Sequence, residues 1–412
     1  MKIFQNVFVS NTISLYLMNL VRILLPLVTI PYLARVFSTE VYGLVVYSKA
    51  LMSYAQLFID FGFLLSATRS IVLAADDKNK INKIVGDTLV EKTILSVMVI
   101  VFFVLLLPHL PILTGFDLFI WLSIFAVLSN VFILDFLFRG LELMHYVAVP
   151  YVIAKIISTI FTLLLIKNDS QLLLLPILDI IGNAAAILFS WHYKNKYGIR
   201  IVFSNAHIWI ADLKESFIFF LSNFSTTIFG AFTTLIAGSY LPLNQLAYWG
   251  ICMQLLSAAK ALYSPITNSL YTQLIKSRDI KLVKRIAKFM GVPMLIGTAV
   301  VFSQSNAIMW IIGGEKYSVA GIYLIMLLPA FVFSFYSMLY GWPVLGAINK
   351  IGLTTSTTVA TSIIHSLLLI ALIALNQFNL TNLACTCSIS EGILFFLRYG
   401  IYWKDRKLFF TK

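Results

Sequence analysis

Charged residues are scarce in this chain of 412 residues. Asp, Glu, Lys and Arg together make up 11% of it, against about 25% in soluble globular proteins. Hydrophobic residues make up 60%, and the mean hydropathy is +0.92. This composition excludes an ordinary soluble protein and predicts an all-α polytopic membrane protein.

Cysteine is rare as well, since the chain contains only Cys252, Cys385 and Cys387. All three lie in apolar runs, so they predict no disulfide framework, and Cys385-x-Cys387 lacks the second pair that a zinc site needs. There is no Walker A segment, and no HExxH or paired-carboxylate motif in a soluble loop. The sequence therefore predicts no enzyme, no catalytic residue, no metal and no cofactor beyond a coupling H⁺ or Na⁺.

The 30 Lys and Arg residues outnumber the 17 Asp and Glu residues, giving a formal charge of +13. Their placement is asymmetric across the predicted membrane, with 23 on one side. Three lie on the other side: Arg35, Lys167 and Lys316. The remaining four lie inside apolar runs: Arg22, Lys49, Lys155 and Lys260. This is the positive-inside pattern. It predicts a topology with both termini in the cytoplasm rather than a nucleic-acid surface.

A crossing needs about 20 apolar residues, and the chain has room for twelve. The predicted spans are 8–33, 42–67, 88–108, 118–138, 147–166, 171–193, 216–240, 246–273, 288–311, 319–345, 353–375 and 381–403. The longest basic connection, 194–215, separates two predicted six-helix bundles, 1–200 and 201–412. The apolar start is too long for a signal-peptide core and is expected to be a retained first span.

Three cations stand at similar predicted depth in spans one, two and eight: Arg22, Lys49 and Lys260. A cation inside a bilayer is costly, about 2.5–3.5 kcal/mol on insertion scales, and normally faces a protein interior or a wet cavity. The three residues are therefore candidates to bind an anionic headgroup. The alternative is that each one snorkels or pairs structurally.

Acidic residues are fewer in the spans. Asp60 lies on the same predicted face as Lys49, either as a structural ion-pair partner or as a proton or sodium site. Asp135 and Arg139, four residues apart, are expected to pair. Asp179, one turn before Asn183, is a candidate coupling acid with the alternative that it is simply protonated or hydrogen-bonded.

The densest pattern lies near the start, where Pro26 is followed by TIPYLAR at 29–35, YG at 42–43 and DFGFLLSATR at 60–69. These residues resemble the beginning of Wzx-type polysaccharide flippases, which share a superfamily with MATE exporters and lipid II flippases. The resemblance implies a MATE-like fold. In lipid II flippases essential cations line the cavity on helices one, two and eight, and Arg22, Lys49 and Lys260 are similar in placement.

The resemblance also implies a function. It is translocation of an undecaprenyl-pyrophosphate-linked oligosaccharide, an O-antigen or capsule repeat unit, across the bacterial inner membrane by alternating access. The expected partners are that substrate, membrane lipids, a glycan polymerase and a chain-length regulator. Two alternatives remain: a MATE-like cation-coupled exporter of small molecules, and a non-transporting membrane protein such as a polymerase or scaffold.

Overall fold

The computed structural model describes residues 2–74, 77–277 and 279–409. Over these residues the fold is built from helices and short helical turns, with no β-strand. The chain forms two compact units, Met1–Phe224 and Ser225–Lys412, and each is described by itself.

The first unit contains nine helices within its described residues, the last of which runs slightly past its end. They are α1 (Lys2–Val36), α2 (Thr39–Asp60), α3 (Phe63–Ala74), α4 (Lys78–Leu106), α5 (Asp117–Ser129), α6 (Asp135–Gly140), α7 (His145–Leu165), α8 (Leu174–Lys196) and α9 (Ala206–Thr227). Short 3₁₀ turns lie at Leu107–His109, Pro111–Leu113, Asn130–Phe132 and Asp169–Gln171.

The described part of the second unit contains a further nine helices. They are α10 (Thr233–Tyr240), α11 (Leu243–Ser277), α12 (Ile280–Gly313), α13 (Glu315–Ser318), α14 (Gly321–Met326), α15 (Leu328–Tyr340), α16 (Trp342–Ala347), α17 (Ile351–Ala374) and α18 (Leu380–Asp405). A π turn at Ile228–Phe232 precedes them, and a 3₁₀ turn at Arg406–Phe409 follows.

Several predicted spans are broken helices. The DFG sequence at 60–62 separates α2 from α3, because Phe61 and Gly62 adopt positive φ angles of 38° and 86°. A side chain at Gly62 would also collide with α9, since its Cβ would lie 2.7 Å from the carbonyl oxygen of Ser216. The glycine therefore allows both the turn and the close packing of α9.

The predicted spans correspond to helices of sufficient length. Ten helices or helix pairs in the described residues are long and apolar enough to cross a membrane, and the broken pair Ala206–Thr227 and Gly230–Tyr240 makes up to eleven. The remaining predicted span, 246–273, falls on α11, which has 35 residues. The all-α polytopic fold is confirmed, and twelve crossings are compatible with it.

Hydrogen bonds at helix ends fix the boundaries. Ser38 begins α2 by accepting a bond from the backbone N–H of Val41 at 3.3 Å. Asp77 begins α4 by accepting bonds from the backbone N–H groups of Lys80 and Asn79, both at 3.1 Å. The bond from Lys80 in particular holds the pKa of the Asp77 carboxyl below its usual value.

Candidate functional site

A polar cavity of about 570 Å³ lies within the first unit. Helices α1, α2, α4, α7 and α8 and the α5–α6 region supply its lining. Its charged side chains are Arg22, Lys92, Arg139 and Lys155, and Asp60, Asp135 and Asp179. Four cations against three acids leave a formal excess of one positive charge. The cavity is thus both charged and slightly electropositive, which suits an anionic ligand better than a cationic one.

A hydrogen-bonded chain crosses the cavity from α4 to the end of α5. Lys92 Nζ lies 2.9 Å from Asp60 Oδ1, and Gln56 Nε2 donates to Asp60 Oδ2 at 2.7 Å. Asn130 Nδ2 in turn donates to Gln56 Oε1 at 2.7 Å. Because the Gln56 amide is bonded through both its nitrogen and its oxygen, the Asp60 carboxylate is held in one orientation, and Lys92 neutralises it.

A second ion pair in the lining of the cavity joins α7 to α8. Lys155 Nζ of α7 lies 3.0 Å from Asp179 Oδ1 of α8, with the two side chains 45% and 50% exposed. Asn183 does not bond to Asp179 but donates to Ser129 Oγ at 2.9 Å and to the carbonyl oxygen of Ala126. The structure therefore places Asp179 beside an ammonium group and assigns Asn183 to packing between α8 and α5.

The two arginines of the cavity form no ion pair within 4.0 Å in the described residues, although Asp135 lines the same cavity. The Arg22 guanidinium lies over the ring of Tyr151, 5.5 Å from its centroid, and forms no ion pair there. Arg139 does not reach ion-pair distance of Asp135, contrary to the predicted pairing, and its buried Nε has no hydrogen-bond acceptor. Both guanidinium groups retain donors for an incoming anion.

Lys49 does not line this cavity. Its side chain is exposed, and the charges that act on it are those of Asp179 and Lys155. Within the described residues its ammonium group forms no ion pair. The structure thus places Lys49 near the α7–α8 ion pair, while Asp60 binds Lys92.

Lys260 belongs to the second unit, where its ammonium group pairs with Glu391 of α18. The Lys260 side chain is 31% exposed and that of Glu391 is 11% exposed. The shared layer of Arg22, Lys49 and Lys260 stays a prediction. What the structure adds is a partner for Lys260 that is 131 residues away in sequence.

Two cations assigned to the cytoplasmic side by the charge count are in fact buried among helices. Lys92 is 5% exposed and Arg398 is 6% exposed. Arg398 donates to Thr357 and Thr358 hydroxyls and to the carbonyl oxygens of Ser337 and Thr354. Burial is possible because Asp60 neutralises Lys92 and four oxygens satisfy the guanidinium of Arg398.

The sequence contains features that indicate burial of both cations. Lys92 is the fifth residue of the predicted span 88–108 and directly follows another charged residue, Glu91. Arg398 lies near the end of predicted span 381–403, and the Thr-rich run at 354–358 lies in the neighbouring span. A charge within a span and a hydroxyl-rich run in the next one together indicate a buried polar contact.

The fold is that of a multi-span, all-α membrane protein with a polar cavity in its first unit. The chain belongs to the polysaccharide biosynthesis protein family, whose sequence model matches residues 8–276. Its relatives include a candidate O-antigen transporter of Shigella dysenteriae, 29% identical over 78% of this chain and 82% of that protein. Another candidate O-antigen transporter, from Escherichia coli strain K12, is 24% identical over 94% and 96%.

Solved structures share the fold. The inward-facing conformation of a multidrug resistance MATE family transporter has a TM-score of 0.66 at 14% identity, covering 94% of this chain and 98% of its own. Lipid II flippase MurJ in an inward closed conformation also gives 0.66 at 14% identity, with coverage of 98% and 89%. The resemblance drawn from residues 29–35 and 60–69 is confirmed, and the MATE-like fold with it.

Proposed function

We propose that this protein is a flippase that moves an undecaprenyl-pyrophosphate-linked oligosaccharide, an O-antigen or capsule repeat unit, from the cytoplasmic to the periplasmic leaflet. The observation that supports this most is the first-unit cavity, which Arg22 and Arg139 line without forming an ion pair in the described residues. A planar guanidinium donates two parallel bonds to phosphate oxygens. A pyrophosphate would accept from both arginines while the lipid tail remains in the bilayer.

The other charges of the cavity have supporting roles in this proposal. Asp60 and Asp179 hold Lys92 and Lys155 in place and lower the net positive charge, so that the anion is bound without being trapped. Tyr151, which lies under Arg22, offers a ring surface for a sugar, and the amide of Asn130 offers a polar group for sugar hydroxyls. The residues thus divide between headgroup binding and support.

Sidedness and partners belong to the same proposal. The protein would lie in the bacterial inner membrane with both termini cytoplasmic, and pass its product to a glycan polymerase and a chain-length regulator. It would act as a non-enzymatic transporter, coupled to H⁺ or Na⁺. Thiol labelling of cysteines placed at Lys78, Lys281 and Lys316 tests the topology. We expect the first two to be cytoplasmic and the third periplasmic; a periplasmic C-terminus would contradict the charge-based orientation.

Arg22 provides the sharpest test of headgroup binding. Arg22→Ala removes a charge-assisted contact of about 2 kcal/mol, which corresponds to roughly 30-fold weaker substrate binding. Arg22→Lys keeps the charge and loses the planar fork, so it should retain part of the activity. Translocation of fluorescent lipid-linked oligosaccharide in proteoliposomes measures both variants.

Arg285→Ala is a matched control, since Arg285 is exposed on α12 and is expected to be cytoplasmic. It should translocate like the wild type. Wild-type rates in the Arg22→Ala protein would show that no anionic headgroup binds at this residue. Transport of small cationic drugs instead of the lipid-linked substrate would favour the MATE-like exporter.

A further inference from the structure

A second cavity, of about 390 Å³, lies among α3, α4 and α9 of the first unit. Four acids line it: Asp87 and Glu91 from α4, and Asp212 and Glu215 from α9. Ser66 and Ser216, whose hydroxyls lie 2.7 Å apart, close one wall. None of these acids reaches the polar cavity described above, so this is a separate acidic chamber.

Two of the four acids already bind other protein groups, one through hydrogen bonds and one in an ion pair. Asp87 Oδ1 accepts bonds from the backbone N–H of Ser204 at 2.7 Å and from Trp209 Nε1 at 2.8 Å. Glu215 Oε1 lies 2.6 Å from Arg69 Nη1 in an exposed ion pair. Asp87 thereby fixes the connection before α9, and Glu215 joins α9 to α3.

Glu91 differs from these residues. It is 2% exposed, and its Oε1 is buried without any hydrogen-bond partner in the described part of the chain. Two further acids, Asp87 and Asp212, line the same chamber. A carboxylate without a donor and beside two negative groups is unfavourable, whereas a carboxylic acid is not.

Lys92, the next residue, does not neutralise Glu91. Successive residues point about 100° apart around an α-helix, as follows from 3.6 residues per turn. Lys92 therefore points to Asp60 in the polar cavity, while Glu91 points into the acidic chamber. One turn of α4 carries a cation in the first cavity and an unpartnered acid in the second.

We propose that Glu91 is the binding site for the proton that drives transport, an inference that rests on the proposed flippase function. Binding of a proton to Glu91 removes a negative charge from the chamber formed by α4 and α9. Movement of α4 that exposes Glu91 for release also shifts Lys92 and its partner Asp60. Proton binding and substrate binding are thereby joined through one helical turn.

Other charged groups face the chamber and set the pH response. Lys80 and Lys83 stand on α4 itself, Arg69 stands on α3, and Asp212 and Glu215 stand on α9. The two lysines line the chamber from the N-terminal turns of α4. Arg69 forms an ion pair with Glu215. Asp87 and Asp212 are the further acids that line the chamber beside Glu91.

Infrared difference spectroscopy of the reconstituted protein tests proton binding without any substrate. The wild type should show a protonated carboxyl band near pH 7. Glu91→Gln should lack the band. The control Asp117→Asn, at an exposed acid that begins α5, should retain it. A carboxylate band for Glu91 throughout the range above about pH 5 would overturn the proposal.

Transport measurements separate this inference from the flippase proposal. Proteoliposomes with an imposed pH gradient should translocate lipid-linked oligosaccharide at least about tenfold faster than those without one. Glu91→Gln should keep the rate seen without a gradient and lose the acceleration. A Glu91→Gln protein that is accelerated like the wild type would refute the proton site. A wild type that moves no lipid-linked substrate would refute the flippase function, while the infrared result would still report on Glu91.

Discussion

The ion pair between Asp60 and Lys92 is asymmetric, and its two single variants should therefore differ in stability. The Lys92 side chain is 7% exposed and that of Asp60 is 38% exposed. Asp60→Asn leaves a buried ammonium group without a counter-charge, and the free energy of unfolding should fall by about 3 kcal/mol. Lys92→Met leaves a carboxylate that faces the cavity and still accepts a bond from Gln56, so the loss should be about 1 kcal/mol.

The double variant gives the decisive comparison. With Asp60→Asn and Lys92→Met together, no charge is stranded, and the stability should return to within about 1 kcal/mol of the wild type. The double variant should then be more stable than Asp60→Asn alone. Unfolding of the purified protein in mixed micelles, followed by circular dichroism, measures all three.

A surface pair provides the control for this cycle. Arg69 and Glu215 are 62% and 44% exposed, so Arg69→Ala and Glu215→Gln should each change the stability by at most about 1 kcal/mol. The reasoning would be refuted by equal losses for Asp60→Asn and Lys92→Met. It would equally be refuted by a double variant as unstable as the two single losses combined, because the asymmetry follows directly from burial.

Three further predictions concern other elements. Arg398→Lys keeps the charge, but a lysine cannot donate to all four oxygens around Arg398. The variant should lose about 2 kcal/mol of stability, which should appear as less folded protein in the membrane. Gly86→Ala places a Cβ 2.1 Å from the carbonyl oxygen of Val202, so the free energy of unfolding should fall by about 1–3 kcal/mol, seen as a lower thermal midpoint. Gly352→Ala is the control, because no atom lies within 4 Å of the added Cβ, and it should leave the thermal midpoint unchanged. Pro26→Ala should reduce translocation more than protein level, since Pro26 lies inside α1 at an expected bend; equal losses of both would assign the proline to assembly.

Much of the fold could be predicted because it depends on local composition. Apolar runs of about 20 residues identify helices one at a time, although the predicted span 42–67 did not anticipate the break between α2 and α3 at 60–62. Arg22 lines the first-unit cavity, and its role in binding an anionic headgroup stays a prediction.

The partners of the charged residues could not be predicted in the same way. Asp60 was predicted to be either a structural ion-pair partner or a proton or sodium site, and the packing of α2 against α4 brings it to Lys92. Lys260 and Glu391 meet across 131 residues. Such contacts depend on how helices pack, and periodicity within one helix carries no information on that.

The four oxygens around Arg398 have an evolutionary consequence. Loss of a threonine at 357 or 358 would leave a guanidinium donor unsatisfied in the interior, and loss of Arg398 would leave hydroxyls facing a gap. Neither change is easily tolerated alone, whereas a simultaneous change to apolar residues can be neutral. Among related sequences, positions 357, 358 and 398 should therefore covary, and family members that lack the arginine should carry alanine or valine in place of both threonines.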